Sequence, residues 1–152
     1  VDLAAVVAEA VELIQPLTDQ RDQRVVSALT PGPSLTGDSQ RLFSVMVNLL
    51  ANANKFAPDQ TTIWVEMEWS PQWVTVWVED EGRGLSPLRG SSDLFAPFKR
   101  SPHEEPSQRG SGLGLAIVHA IVVAHGGEVK VAEPVHRHGA RIGIVLPVGE
   151  AA

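Results

Sequence analysis

The sequence contains no cysteine, which excludes a disulfide framework, a thiolate nucleophile and a cysteine-ligated metal centre. It has no apolar run approaching the roughly 20 residues that a membrane helix requires. Basic residues are in the minority: 12 Lys and Arg stand against 18 Asp and Glu, for a formal net charge of −6. A partner held through its phosphate backbone is therefore disfavoured, and nucleic acid is not an expected ligand. The chain lacks an initiator Met and opens directly in an amphipathic pattern, as expected of a segment of a longer protein. It also lacks internal repeats. What is present, 152 residues of which 43% are apolar, suffices for one sizeable core, so a single soluble domain is expected.

Leu3, Val6, Val7, Ala10, Ile14 and Leu17 fall on one helical stripe, with Pro16 placed to bend or end that helix. Val25 to Leu29 reads as a short strand, closed by the turn-forming run Thr30-Pro31-Gly32-Pro33-Ser34. Asp38 or Ser39 caps a second helix that runs to about Phe56, burying Leu42, Val45, Met46, Leu49, Leu50, Ala53 and Phe56. Alternation of period two over Thr62 to Trp69 and Trp73 to Asp80, separated by Ser70-Pro71-Gln72, predicts a hairpin. From Glu81 to Gly112 the chain is rich in Gly, Pro, Ser and charge without sustained periodicity, a length that in a compact domain points to a functional lid. Leu113 to His125 is apolar nearly all round, as a buried helix would be, and Gly126-Gly127 end it. Strands at Glu128 to Ala132 and Ala140 to Pro147 complete a mixed sheet with helices on one face.

Three patterns break this regularity. Arg41, Ser44, Asn48, Asn52 and Lys55 form one polar stripe on the second helix. The stripe is either a solvated face or a ligand site in which amide oxygens suit a hard cation and the Lys ammonium suits phosphate. Asp80 shares strand parity with Val74, Val76 and Val78, which aims a carboxylate at the apolar side, where it needs a donor. Alternatively the strand ends at Glu79 and Asp80 opens a turn. Gly110-Ser111-Gly112-Leu113-Gly114-Leu115 leads directly into a helix, a junction suited to phosphate. Its spacing fits neither the dinucleotide fingerprint nor the P-loop.

The order of these pieces is that of a known family. Asn48-Leu49-Leu50-Ala51-Asn52-Ala53-Asn54-Lys55-Phe56 resembles the N box of sensor histidine kinases, and Asp80-Glu81-Gly82-Arg83-Gly84-Leu85 resembles their G1 box. Phe95-Ala96-Pro97-Phe98 followed by Lys99-Arg100 resembles the F box, and Gly110 to Leu115 resembles G2. The resemblance implies the ATP-binding catalytic domain of a two-component kinase, within the GHKL ATPases, filling residues 1–152 with a lid at about 86–112. The implied fold is α+β: a two-layer α/β sandwich whose mixed sheet of about five strands is backed by three helices. Implied ligands are ATP and Mg²⁺. Asp80 would receive the adenine amine, with Gly82 and Gly84 shaping the pocket wall. Asn52 and Asn48 would hold the metal, and Asn52, Lys55 and Arg100 would act on the phosphates in transfer. Gly110, Gly112 and Gly114, with Leu113 and Leu115, would form the lid-to-helix junction over the triphosphate, while Phe95 and Phe98 anchor the lid. Those two phenylalanines read equally well as ordinary core residues under a long loop.

Two departures bear on activity. Pro87, Gly90, Ser91 and Ser92 oppose the short helix usual between G1 and the F box, and position 51 is Ala where related ATPases carry a water-activating acid. Fast hydrolysis is not expected. No phosphoacceptor is evident either: His103-Glu104-Glu105-Pro106 lies in the lid, His119 reads as a core residue, His125 as a favourable charge at a helix C-terminus, and His136 and His138 as a solvated turn. The acceptor His is therefore expected on a dimerisation domain outside the chain, with a response regulator downstream. The segment itself is expected to be a cytoplasmic monomer, and the parent kinase a homodimer, membrane-anchored or not. A degenerate module that senses nucleotide without transfer is the alternative; a chaperone, topoisomerase or mismatch-repair ATPase is disfavoured by the F box. Trp64, Trp73 and Trp77 share the sheet face opposite the core, for cross-strand aromatic pairing or for docking a neighbouring domain.

Overall fold

Helix α1 (Leu3–Gln20) starts where Asp2 accepts the Ala5 N–H in a 3.2 Å cap. The computed structural model describes residues 1–82, 114–136 and 138–148. Pro16 does not end α1, which continues through it to Gln20. The carbonyl that loses its partner belongs to Glu12, an exposed residue that water can serve. The buried stripe also closes differently from expectation. Leu17 is 46% exposed, and Thr18, one turn after Ile14, is buried with its hydroxyl donating to the Gln15 carbonyl.

Strand β1 (Arg24–Ala28) precedes helix α2 (Ser39–Phe56), whose first turn is capped by Asp38 Oδ1 accepting from the Gln40 and Arg41 N–H groups. The hairpin forms as β2 (Thr62–Trp69) and β3 (Trp73–Asp80), and the chain closes with helix α3 (Gly114–Ala124), β4 (Glu128–Ala132) and β5 (Ala140–Pro147). The sheet order is β1-β2-β3-β5-β4, with β1 parallel to β2 and the remaining neighbours antiparallel. This is the expected α+β sandwich: among the described residues, five strands and three helices. Ile63, Val65, Met67, Val74, Val76, Val78, Ile144 and Leu146 line the sheet's inner face and join Leu3, Val7, Ile14, Leu42, Met46, Leu49 and Leu50 in one core. Trp69 pins the β1–α2 connection by donating from Nε1 to the Thr30 carbonyl at 2.6 Å.

Helix α3 corrects the expectation of burial all round. Only Val118 and Val122 are fully covered, while Ile117 and Val123 are 42% and 51% exposed and His119 is exposed rather than in the core. An all-apolar sequence carries no information about which face packs. The helix ends as expected: Gly126, at φ +82°, and Gly127 return their N–H groups to Val123 and Val122 in a Schellman motif. His125, at the C-terminal end of that helix, also bridges two elements. Its Nε2 accepts the Asp38 N–H at 3.0 Å and its Nδ1 meets the Ile121 carbonyl at 2.9 Å, tying the end of α3 to the cap of α2.

Candidate functional site

The N-box stripe occupies the half-buried flank of α2, between its buried row and the start of α3. Asn48 donates from Nδ2 to the Ser44 carbonyl, one turn back, at 2.8 Å, which leaves Oδ1 without a donor among the described residues. A methyl group at Gly114 would stand 3.3 Å from that Oδ1 and 3.8 Å from the Asn52 amide atoms. The first residue of α3 therefore lies against both asparagines. Among the described residues the Asn52 amide makes no hydrogen bond, so its oxygen is free for a ligand. Lys55 lies over the Phe56 ring at 5.2 Å. Leu115, half-buried, packs against the core.

Asp80 closes β3 on the helix side of the sheet, so the parity argument holds and the strand does not stop at Glu79. Its Oδ1 accepts the Gly82 N–H at 2.7 Å, and the Ala140 N–H also donates to the carboxyl. Burial pushes its pKa up to about 6; these two hydrogen bonds oppose the rise, and the neighbouring Glu79 and Glu81 charges add to it. Among the described residues no side chain donates to it. Gly82 is a necessity of space: a Cβ there would lie 2.8 Å from Asp80 Oδ1 and 2.9 Å from the Phe56 carbonyl oxygen. The turn after Asp80 thus seats on the C-terminus of α2. Glu81 faces elsewhere, accepting the Thr62 N–H at 2.8 Å.

The structure thus gathers Asn48, Asn52 and Gly114 in one cluster, and seats Asp80 and Gly82 against the α2 end that carries Lys55. Gly84, Phe95, Phe98, Arg100, Gly110, Gly112, Leu113 and the rest of the expected lid lie outside the described residues.

Several contributors were missed at the level of sequence. Arg21 bonds the Asn54 and Lys55 carbonyls, and buried Gln23 donates to those of Asn54 and Ala57 at 3.1 Å and accepts from Asn54 Nδ2 at 2.7 Å. The third asparagine of the N box is consequently structural. On the outer sheet face, Trp64 stacks on His136 and Trp77 lies under Arg141. The expected pairing of tryptophans with each other is replaced by these contacts, and His136 is no free turn residue. The one available hint was charge inside apolar strands at Glu79 and Arg141.

Residues 37–150 match the model of the histidine kinase-, DNA gyrase B- and HSP90-like ATPases. The chain belongs to this family. It is 33% identical over 132 residues to the adaptive-response sensory kinase SasA of Synechococcus sp. (strain CC9311), covering 86% of this chain and 34% of that protein. It is 40% identical over 105 residues to the probable sensor histidine kinase TcrY of Mycobacterium tuberculosis, covering 68% of this chain and 22% of that one. The chain thus spans about a third or less of these relatives. Among solved structures, the mycobacterial sensor histidine kinase MprB superposes with a TM-score of 0.81 at 32% identity, covering 97% of this chain and 95% of that one. Full-length ShkA in complex with AMPPNP gives 0.82 at 27% identity, covering 100% of this chain and 31% of that one. The α+β architecture is that of histidine kinase catalytic domains.

Proposed function

We propose that this ATPase-family chain is the catalytic domain of a sensor histidine kinase, which binds Mg-ATP and presents its γ-phosphate to a histidine on a dimerisation domain outside these 152 residues. The observation that carries the reading is Asp80: a buried carboxylate held in place by two backbone donors, without a side-chain donor among the described residues. An adenine amine supplies the missing donor. Gly82 keeps the adjoining wall thin enough for a purine to approach.

The Asn48 and Asn52 oxygens, adjacent to each other across Gly114, suit a hard cation. Mg²⁺ bound there would neutralise charge on the phosphate oxygens. Lys55 would contact the same phosphates, as would Arg100 from the lid at about 86–112, anchored by Phe95 and Phe98. Gly84 would extend the purine wall, and Gly110, Gly112, Leu113, Gly114 and Leu115 would close over the triphosphate. In phosphoryl transfer the residues' work is positioning and charge neutralisation. The acceptor would then pass its phosphoryl group to a response regulator on the cytoplasmic side.

The test is equilibrium binding of a non-hydrolysable ATP analogue, with and without Mg²⁺, to wild type, Asp80→Asn and Asn52→Ala. Asp80→Asn should weaken binding about tenfold or more in both conditions, and Asn52→Ala should abolish the gain from Mg²⁺. Unchanged affinity in both variants overturns the site. Adding a separately produced dimerisation domain and labelled ATP then separates a kinase, which transfers, from a nucleotide sensor, which binds only.

A further inference from the structure

Glu79 points to the sheet face opposite the nucleotide site, yet it is 0% exposed. The β4–β5 connection folds over it. Its Oε1 accepts from the Val135 N–H at 3.0 Å and from Arg141 Nη1 at 2.9 Å, and its Oε2 accepts from the His136 N–H at 2.8 Å. The same arginine nitrogen reaches Glu66 Oε1 at 3.0 Å, and Glu66 Oε2 lies 2.7 Å from His136 Nε2. The His136 ring is stacked on Trp64, 4.4 Å between centroids and 6° from parallel.

This cluster sits back to back with Asp80. In the β3–β5 ladder Glu79 pairs with Arg141, and the next pair is Asp80 with Ala140. Ala140 supplies one of the two N–H groups that orient the Asp80 carboxyl. Gly139 closes the gap between the two faces: at φ +152° it approaches so closely that a Cβ would lie 1.9 Å from the Asp80 carbonyl oxygen. Any shift of the connection held by Glu79 therefore moves the Ala140 donor and the Asp80 backbone together.

We propose that Glu79 is a positioning residue for purine recognition, fixing from the far face of the sheet the strand ends that aim the Asp80 carboxylate. The inference rests on the reading that Asp80 receives the adenine amine. It predicts an effect confined to the base, because Asn48, Asn52 and Lys55, read as serving the metal and phosphates, stand on α2 rather than at the ends of β3 and β5. A glutamine at position 79 keeps the volume, but its amide nitrogen cannot accept, so at least one of these donors is stranded and the connection loses its grip.

The experiment is calorimetric titration of the chain with ATP and with inosine triphosphate, which carries a carbonyl in place of the exocyclic amine. Wild type should prefer ATP. In Glu79→Gln the ATP affinity should fall about tenfold with little change for the inosine nucleotide, so the preference collapses while the far-UV circular dichroism stays native. Glu66→Ala, which leaves Glu79 and its backbone donors in place but frees His136 and one side of Arg141, should lower the preference by a smaller factor and decides the matter if Glu79→Gln does not fold. Equal losses for both nucleotides, or reduced stability with an unchanged preference, overturn the positioning role. A wild type without preference for ATP overturns the assignment of Asp80 itself, and the inference falls with it.

Discussion

The chain buries a carboxyl group, Asp80, in a place where carboxylates are costly. With its pKa raised from 3.8 to about 6, Asp80 holds a proton in the folded state, between about pH 4 and pH 6, that the unfolded chain has already released. Its contribution to stability is fully present below about pH 4 and is lost as pH rises through about 6, an order of about 3 kcal/mol at full titration. Asp80→Asn should remove that component of the pH dependence, measured as urea midpoints of both proteins across this window. An amine donor favours the ionised form, so affinity for an ATP analogue should fall more steeply as pH drops below about 6 in wild type than in the variant, where only the nucleotide's own phosphate titrates. The parity of β3 made Asp80 legible in the sequence. The same parity put Glu79 on the outer face and said nothing of its burial, because the connection that covers it docks through contacts 56 and 57 residues away. Gly139→Ala probes that docking, since its methyl group meets the Asp80 backbone carbonyl rather than a movable side chain. It should cost about 1–3 kcal/mol by denaturant titration and weaken nucleotide binding.

Elements were legible wherever periodicity contrasts two faces. The alternating β2 and β3 and the striped α2 form where their patterns place them, whereas α3, apolar throughout, could be located but not oriented. The N box is a case in which an element needs outside support. The last carbonyls of a helix lack internal partners, and those of α2 are taken up by Arg21 and Gln23 from the α1–β1 connection, more than 30 positions away in the chain. Local spacing does not carry such a contact, so Pro58 signalled where α2 stops but not what holds it. Gln23→Leu should strand the Ala57 carbonyl and the Asn54 side-chain amide, leaving the Asn54 carbonyl to Arg21 alone, and destabilise the chain by about 2–3 kcal/mol in urea unfolding. Because the end it releases carries Lys55 and supports Gly82, ATP-analogue affinity should fall well before the chain unfolds.

At the scale of the whole molecule, the sheet separates the site from His136. Asp80 lies on the helix side, whereas His136 is bound to Glu66 and stacked on Trp64 on the outer side. His125 has both ring nitrogens engaged, and it stands at the far end of α3 from Gly114, about 16 Å along the axis at 1.5 Å per residue. In-line transfer needs the reacting atoms within about 3.5 Å of each other, a distance that neither His125 nor His136 attains without breaking the contacts that define the fold. His119 is exposed halfway along the same helix, about 7–8 Å beyond Gly114, and a rigid helix does not bring it closer. None of these three histidines is placed to accept the phosphoryl group, and the His103 sequence context is not that of an acceptor, so the chain alone, incubated with γ-labelled ATP and Mg²⁺, should bind nucleotide and yield no acid-labile phosphohistidine, whereas mixing it with a dimerisation domain that supplies an exposed histidine should produce the label on that second component. Label appearing on the isolated chain, mapped by mass spectrometry to any of its own histidines, would show that the sheet and α3 do not hold them apart from the γ-phosphate and would overturn the division of labour proposed here.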